Sequence, residues 1–324
     1  MCYEGTDGDG RIPDPLSQDS YMNKTLLIGC LALLIAGPVT GAETAEPAAK
    51  RAVLVTGAST GIGRKITERL AAAGFFVYAG ARKDTDLREL DAIDNVDSVR
   101  LDVTKPEEIA AAVATITKAG RGLFGVVNNA GVAIVGPLLQ TEEKDFDLVF
   151  DVNVYGPYRV TRAFGPLIVA SKGRVANIGS ISGTLSSKDL AAYSMSKHAI
   201  EAFTDSLAGE LAPLDVAVSV IEPGNYRSEI GNSAAKRAGN TNRMADRTKY
   251  KEPDEVADAV LHALSDPQPR RRYMVVPNQT EAEWTIKKQI EELVQLNGKQ
   301  PYSYDRTALV EMLDEALAAY QAAP

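Results

Sequence analysis

"RAVLVTGASTGIGRKITERLAAAG", residues 51–74, sets the architecture of the chain. "RAVLVT" (51–56) is an apolar run of strand length. "GIGRKITERLAAAG" carries Ile66 and Leu70 four apart, on one face of a helix. Between them, "TGASTGIG" (56–63) places Gly57, Gly61 and Gly63 in a strand-to-helix turn. Glycine permits a tight turn and lets a ligand approach the backbone. The helix start adds oriented N–H groups and the positive end of the dipole, which suit an anion. Such a turn also occurs for steric reasons alone. Its place directly after the first strand points to a bound pyrophosphate.

The alternation continues outward from this turn. "FFVYAGA" (75–81), "SVRLDV" (98–103), "FGVVNNA" (124–130), "GRVANIGS" (173–180), "VAVSVIEPG" (216–224) and "RYMVVP" (272–277) read as strands. Helices are expected over 106–120, with Pro106 at the first turn, over 142–170, and from 191 to about 211. Short apolar strands alternating with helices imply a parallel sheet covered on both faces. The expected fold is α/β: a Rossmann-type, doubly wound parallel sheet over 51–276, one domain, with a C-terminal helical extension over 277–324.

Composition narrows the chemistry. The 324 residues are 45% hydrophobic, enough for a large core, and the formal charge of −8 argues against nucleic acid as a partner. The two cysteines, Cys2 and Cys30, precede the globular part, and the two histidines are His198 and His262. A zinc site or a Ser-His-Asp triad would need more. The chemistry must rest on Tyr, Lys, Ser, Asn, carboxylates or a cofactor. Residues 1–21 read as a polar leader. Residues 22–41 combine Lys24, an apolar run over 26–39 and small residues, the pattern of a signal peptide or membrane anchor. Residues 42–50 are a linker. Export or anchoring is expected, with a cytoplasmic location as the alternative.

"AAYSMSKHAIEAF" (191–203) puts Tyr193 and Lys197 one helical turn apart. A carbonyl that accepts hydride develops negative charge on oxygen and needs a proton. Tyrosine holds its proton too tightly to shuttle it easily at neutral pH, and a neighbouring ammonium lowers that affinity. Ser180 ends the fifth strand, where its hydroxyl can face the same pocket. Ser182 competes for that role at a less suitable spacing.

"TGASTGIG", "NNAG" (128–131), Asn153, "NIGSISG" (177–183), "YSMSK" (193–197) and "EPG" (222–224) occur in the order of the short-chain dehydrogenase/reductase family, which the chain resembles over roughly 51–276. Its texture is most similar to the hydroxysteroid and retinol dehydrogenase branch. The resemblance implies an NADP-dependent alcohol dehydrogenase or carbonyl reductase with a Ser-Tyr-Lys-Asn set. Tyr193 would be the general acid/base, Lys197 would also bind the nicotinamide ribose, Ser180 would polarise the substrate oxygen, and Asn153 would hold a water in the proton relay. Cofactor contacts are implied for Gly57, Ser59, Thr60, Gly61, Ile62, Gly63, Arg82, Asp102, Val103, Asn129, Ala130, Gly131, Tyr193, Lys197, Pro223, Gly224, Tyr226 and Ser228. Asn128 resembles the residue that braces the sheet centre. Any one of these alone would read as an ordinary cap, surface amide or half-buried aromatic; the joint spacing carries the reading.

"YAGARKD" (78–84) ends the second strand with Arg82 and Lys83, where an acid would select NAD. Arginine suits a 2′-phosphate, so NADP is expected, with NAD the alternative because Asp84 is close by. Tyr226 stands where the family has a small aliphatic and is expected to narrow the site; Ser228 stands for a threonine. Residues 225–252 read as a polar loop, and 225–251 hold seven Lys/Arg against two Asp/Glu. "EAEWTIKKQIEELVQL" (281–296) sets Trp284, Ile290, Leu293 and Val294 at helical spacing, expected to pack on their own domain. His198 and His262 read as structural. The expected partner is a small alcohol or carbonyl compound, with a homo-oligomer and membrane association through the N-terminal segment as further expectations. An NADP-binding sensor without turnover is the alternative function, which would not need the Ser-Tyr-Lys set.

Overall fold

The structure, a computed structural model, describes residues 50–237 and 246–322. The expectations for 1–49 therefore lie outside the described residues. Among the described residues, no helix is long and apolar enough to cross a membrane.

Seven parallel strands form one sheet: β1 (Ala52–Val55), β2 (Phe76–Ala81), β3 (Val96–Arg100), β4 (Gly125–Asn128), β5 (Arg174–Ile178), β6 (Ala217–Pro223) and β7 (Arg272–Val275). Their spatial order is β3-β2-β1-β4-β5-β6-β7. The chain winds outward one way from β1, then returns and winds the other way from β4. A crevice opens at the carboxyl ends of β1 and β4, where such sheets bind ligands.

Side-chain alternation divides the core between the two faces. Leu54, Val126 and Val175 join Ile116 of α3 (Pro106–Lys118) and Phe164 of α5 (Gly156–Ala170) on one face. Val53, Val55 and Val127 meet Ile66 and Leu70 of α1 (Gly61–Ala72) and Val256 and Leu264 of α8 (Asp254–Ser265) on the other. Each fully buried side chain of this size contributes about 1.5–3 kcal/mol. A polar chain crosses the sheet centre. Asn128 Nδ2 donates to Thr161 Oγ1 at 2.9 Å and to Asn177 Oδ1 at 2.8 Å, and Asn177 Nδ2 donates to Thr204 Oγ1 at 3.0 Å.

Some boundaries differ from expectation, each for a local reason. β3 starts earlier and stops at Arg100, because the Asp102 carboxylate accepts from Thr104 and turns the chain. The helix expected over 142–170 is α4 (Glu143–Phe150) and α5, joined by a π-helical turn, Asp151–Tyr155, that holds Asn153. A short polar helix, α2 (Asp84–Asp91), follows β2 and buries Leu90. The segment read as a polar loop contains α7 (Ile230–Arg237), and part of it, 238–245, lies outside the described residues. Arg227 and Lys251 there pair with Glu252 and Glu255, so its basic charge is partly neutralised locally.

The tail forms α9 (Gln279–Asn297) and α10 (Arg306–Ala322). Asn278 caps α9 by accepting from the Glu281 N–H at 3.0 Å, while the Glu281 carboxylate accepts from Asn278 Nδ2 at 3.1 Å. This reciprocal arrangement resembles a capping box. The expected packing of the apolar stripe on its own domain does not occur: Trp284, Ile290, Leu293 and Val294 are each more than half exposed, and α9 buries Glu281 and Thr285 instead.

Candidate active site

The glycine turn is shaped by close approach. Gly57 and Gly61 have φ of +65° and +55°, which glycine adopts without strain. A Cβ on Gly63 would lie 2.2 Å from the Gly57 carbonyl oxygen and 2.3 Å from Asn129 Nδ2, so only glycine fits there. The Asn129 amide in turn donates to the Thr56 and Gly57 carbonyls at 2.9 and 3.1 Å. Thr56 Oγ1 accepts from the N–H groups of Asn129 and Ala130, both at 3.0 Å, and so ties the ends of β1 and β4 together. Thr60 caps α1 without a side-chain bond, which leaves the first-turn N–H groups to an incoming anion. Ser59, Ile62 and Gly131 belong to the same turn and the facing loop. Ser228 approaches from across: a Cβ on Gly61 would be 3.4 Å from Ser228 Cβ.

Arg82 follows β2 and is largely exposed; its guanidinium lies 3.7 Å from the Asp102 carboxylate. Burial disfavours the Asp102 charge, yet hydrogen bonds from Thr104 and the Arg82 charge outweigh it and hold this carboxyl below its usual range. Asp84 is ion-paired with Arg100. Val103, buried after β3, packs against Gly156, where a Cβ would come within 2.7 Å of Val103 Cγ2.

At the ends of β5 and β6 the catalytic candidates converge. Ser180 Oγ donates to the Pro223 carbonyl at 3.4 Å, accepts from the Ser182 N–H at 3.1 Å, and faces the Tyr193 phenol closely enough to ease its hold on its proton. Tyr193 and Lys197 start α6 (Ala191–Leu211). Lys197 is buried; its Nζ donates to the Ile178 carbonyl at 2.7 Å and lies 5.7 Å from the centre of the Tyr193 ring. Burial draws the Lys197 ammonium down to about 8, opposed by the Glu201 charge. Burial pushes the Tyr193 phenol up, and the neighbouring Ser180 hydroxyl draws it partly back. The lowering of the phenol expected from the Lys197 cation is not what prevails. Here desolvation wins, with the ammonium turned to a carbonyl. Asn153 is buried with its amide engaged: Oδ1 accepts from the Val132 N–H at 2.8 Å, and Nδ2 donates to the Val132 carbonyl and Ser196 Oγ, each at 2.9 Å. Both Nδ2 hydrogens are thus engaged, while Oδ1 accepts one of the two bonds it can take.

Tyr226 departs from expectation. It is buried in the apolar layer beside α8 and hydrogen-bonds Glu255, so its ring does not narrow an open cleft. Two participants were missed. Glu281 of α9 accepts from the Asn225 N–H at 2.8 Å, and a Cβ on Gly224 would lie 2.2 Å from Glu281 Oε2. This carboxylate braces the Pro223–Gly224 turn from 56 residues away, with no local signal. Thr56 likewise acts through a partner on a distant strand. His198 bonds the Ser194 carbonyl and His262 the Tyr273 hydroxyl, both structural roles. A cavity of about 510 Å³ beside the site is walled by Pro137, Leu138, Lys188, Ser194 and Met195.

A family model described as short chain dehydrogenase matches residues 51–239. The mitochondrial D-beta-hydroxybutyrate dehydrogenase of Bos taurus is 38% identical over 212 residues, 62% of each chain. The chain thus spans less than two thirds of that relative's length. Retinol dehydrogenase 7 of Rattus norvegicus is 33% identical over 252 residues, covering 68% of this chain and 79% of the relative. Among solved structures, a metagenomic short-chain oxidoreductase in complex with NADP is 31% identical, with a TM-score of 0.59 over 70% of this chain and 97% of that one.

Proposed function

This chain belongs to the short-chain dehydrogenase family, and on that premise we propose that it interconverts a secondary alcohol and a ketone, or an alcohol and an aldehyde, with NADP. One observation carries the reading: Ser180, Tyr193 and a buried Lys197 converge at the ends of β5 and β6, with the Lys197 Nζ 5.7 Å from the centre of the Tyr193 ring. A nicotinamide cofactor supplies the hydride when bound. The glycine turn suits such a group, since Gly57 and Gly61 take positive φ and the first-turn N–H groups of α1 have no side-chain cap. Gly57, Gly61, Gly63 and the α1 start would hold the pyrophosphate. Arg82 would face the 2′-phosphate, and the pairing of Asp84 with Arg100 supports NADP over NAD, because the nearby acid is engaged. Asp102, Val103 and the 129–131 loop would flank the adenosine half, and the 223–228 segment the carboxamide.

The chain's own groups then act on the substrate oxygen. Ser180, its hydroxyl turned from the Pro223 carbonyl, and Tyr193 would hold it by two donors, and Tyr193 gives it a proton as negative charge develops. Burial keeps the phenol protonated at neutral pH, which sets the site for donation and hence for reduction. The reverse reaction needs the phenolate and gains with rising pH. Lys197 holds positive charge beneath the phenol below about pH 8. The two named relatives bear the names of different alcohols, a short hydroxy acid and retinol, so the substrate panel spans both, together with steroids and aromatic ketones.

The test is NADPH and NADH consumption on that panel, paired with Tyr193→Phe. This substitution keeps the ring and removes the proton, so turnover falls by about 10²–10⁴ while cofactor affinity changes little. Cofactor binding without turnover on any carbonyl would return the sensor reading. Unchanged single-turnover rates in Tyr193→Phe would move the proton donor elsewhere.

A further inference from the structure

Two carboxyls below the site, a buried Glu222 and a half-buried Glu201, have no part in the reaction described so far. Glu201 lies on α6, four residues after Lys197 and on the same helical face. Its Oε1 packs against the loop that carries Ser180: a Cβ on Gly179 or Gly183 would come within 3.1 or 3.0 Å of it. That oxygen is buried and receives no N–H or O–H from the described residues. Glu222 is the penultimate residue of β6, directly before Pro223, whose carbonyl accepts from Ser180 Oγ. The two carboxyls flank one nitrogen, Arg272 Nε, at 3.3 and 3.8 Å, which brings them against each other. A carboxylate cannot donate, so contact between them calls for a proton on one.

We propose that Glu201 and Glu222 form a positioning pair, one proton shared between two carboxyls, that sets the charge state of Lys197 and fixes the strand ends carrying Ser180. The proposal rests on the reading of Ser180, Tyr193 and Lys197 given above. The groups facing the pair come from three elements. Lys197 and Asp205 lie on α6. Arg272 of β7 has its Nε 3.3 Å from Glu201 Oε2 and 3.8 Å from Glu222 Oε1, while its other nitrogen is 2.6 Å from Asp205. Arg271 lies 3.8 Å from Asp205. Glu281 of α9 stands beyond Gly224. Much of the Arg272 charge is thus taken by Asp205, which leaves the pair short of positive charge. Burial and the Glu201 charge push Glu222 up to about 7, so the shared proton is held in acid and lost near neutrality. Its loss puts a second negative charge near Lys197 and strengthens the hold of that lysine on its proton. The pair therefore couples the ambient pH to the ammonium beneath the phenol.

The test needs no turnover, so its failure is separable from failure of the reductase reading. Chains labelled with ¹³Cε-lysine are titrated by NMR, with Lys197 assigned by its loss in Lys197→Met. Glu201→Gln should lower the Lys197 proton affinity by about threefold or more, and Glu222→Gln by less. In the infrared, ¹³C-glutamate labelling should reveal in the wild type a protonated-carboxyl band that fades as pH rises through about 7, and Glu222→Gln should abolish it. Once a carbonyl substrate is in hand, the matching inflection in kcat/KM should vanish in Glu222→Gln. A merely structural pair would lower kcat and leave every midpoint in place. Folded Gln variants with an unshifted Lys197 midpoint would overturn the proposal. So would a wild type without the protonated-carboxyl band, a measurement that needs no variant to fold.

Discussion

Replacing Lys197 by methionine removes a buried charge without emptying its volume, and the structure fixes how the effect depends on pH. The ammonium, ordinarily at 10.5, is held at about 8 because burial disfavours the cation. The unfolded chain therefore binds this proton more tightly than the folded chain does. The sign follows by linkage: the destabilisation is fully present below about pH 8 and is relieved as pH rises toward 10.5. Its size is about 3 kcal/mol, at about 1.4 kcal/mol for each tenfold change in proton affinity. Against it stands the lost bond to the Ile178 carbonyl, about 1–2 kcal/mol and nearly independent of pH, since a neutral amine still donates. At about pH 7.5 the cofactor-free Met variant should thus be slightly more stable than the wild type; at about pH 10.5 it should be less stable. Urea unfolding of both proteins across that interval reads the difference, and other tyrosines and lysines largely cancel in the comparison. A gap that stays constant to within about 0.5 kcal/mol would refute the claim that Lys197 is a desolvated cation.

Gly63→Ala puts a methyl group where the Gly57 carbonyl and the Asn129 amide already lie, so the cradle must open. Calorimetry should show cofactor affinity lost, and urea unfolding a destabilisation of about 1–3 kcal/mol. Arg82→Ala should weaken NADPH about tenfold or more, the worth of one charge-assisted hydrogen bond, and leave NADH nearly unchanged. Fluorescence titration with both cofactors reads this, and equal losses would reduce Arg82 to a partner of Asp102.

The parts of the site that were legible in the sequence are those whose signal is local. The glycine turn reads because Gly57, Gly61 and Gly63 stand within one strand-to-helix junction, and Tyr193 with Lys197 because one helical turn brings them together. The strands read from their apolar runs. Helix α8 was missed although "PDEVADAVLHAL" (253–264) carries its own marks: Pro253, acids in the first turn, then Val256, Val260 and Leu264 four apart. The charged stretch before it hid them. Glu281 and the Glu201–Glu222 pair could not be read, since each acts on a partner brought close only by the fold. Tyr226 was misplaced because chain position alone does not tell which way a side chain turns after a strand. The stripe on α9 shows the same limit: its spacing announces an apolar face but not what that face meets.

The Asn128–Asn177 bond has a consequence for how the sheet assembles. Strands buried on both faces are apolar at nearly every position, as Val126, Val127, Val175 and Ala176 are here, so their side chains say little about sliding. Asn128 and Asn177 are direct partners across β4 and β5. A slip of one residue would set the Asn128 amide opposite Ala176 or Ile178, stranding its donors at a cost of about 1–3 kcal/mol. The same slip would carry the Asn129–Gly131 loop about 3.3 Å away from the Ser180 loop, one residue's rise along a strand. The two asparagines thus act as an index mark. They align the cofactor half of the crevice with its catalytic half before either has anything to bind.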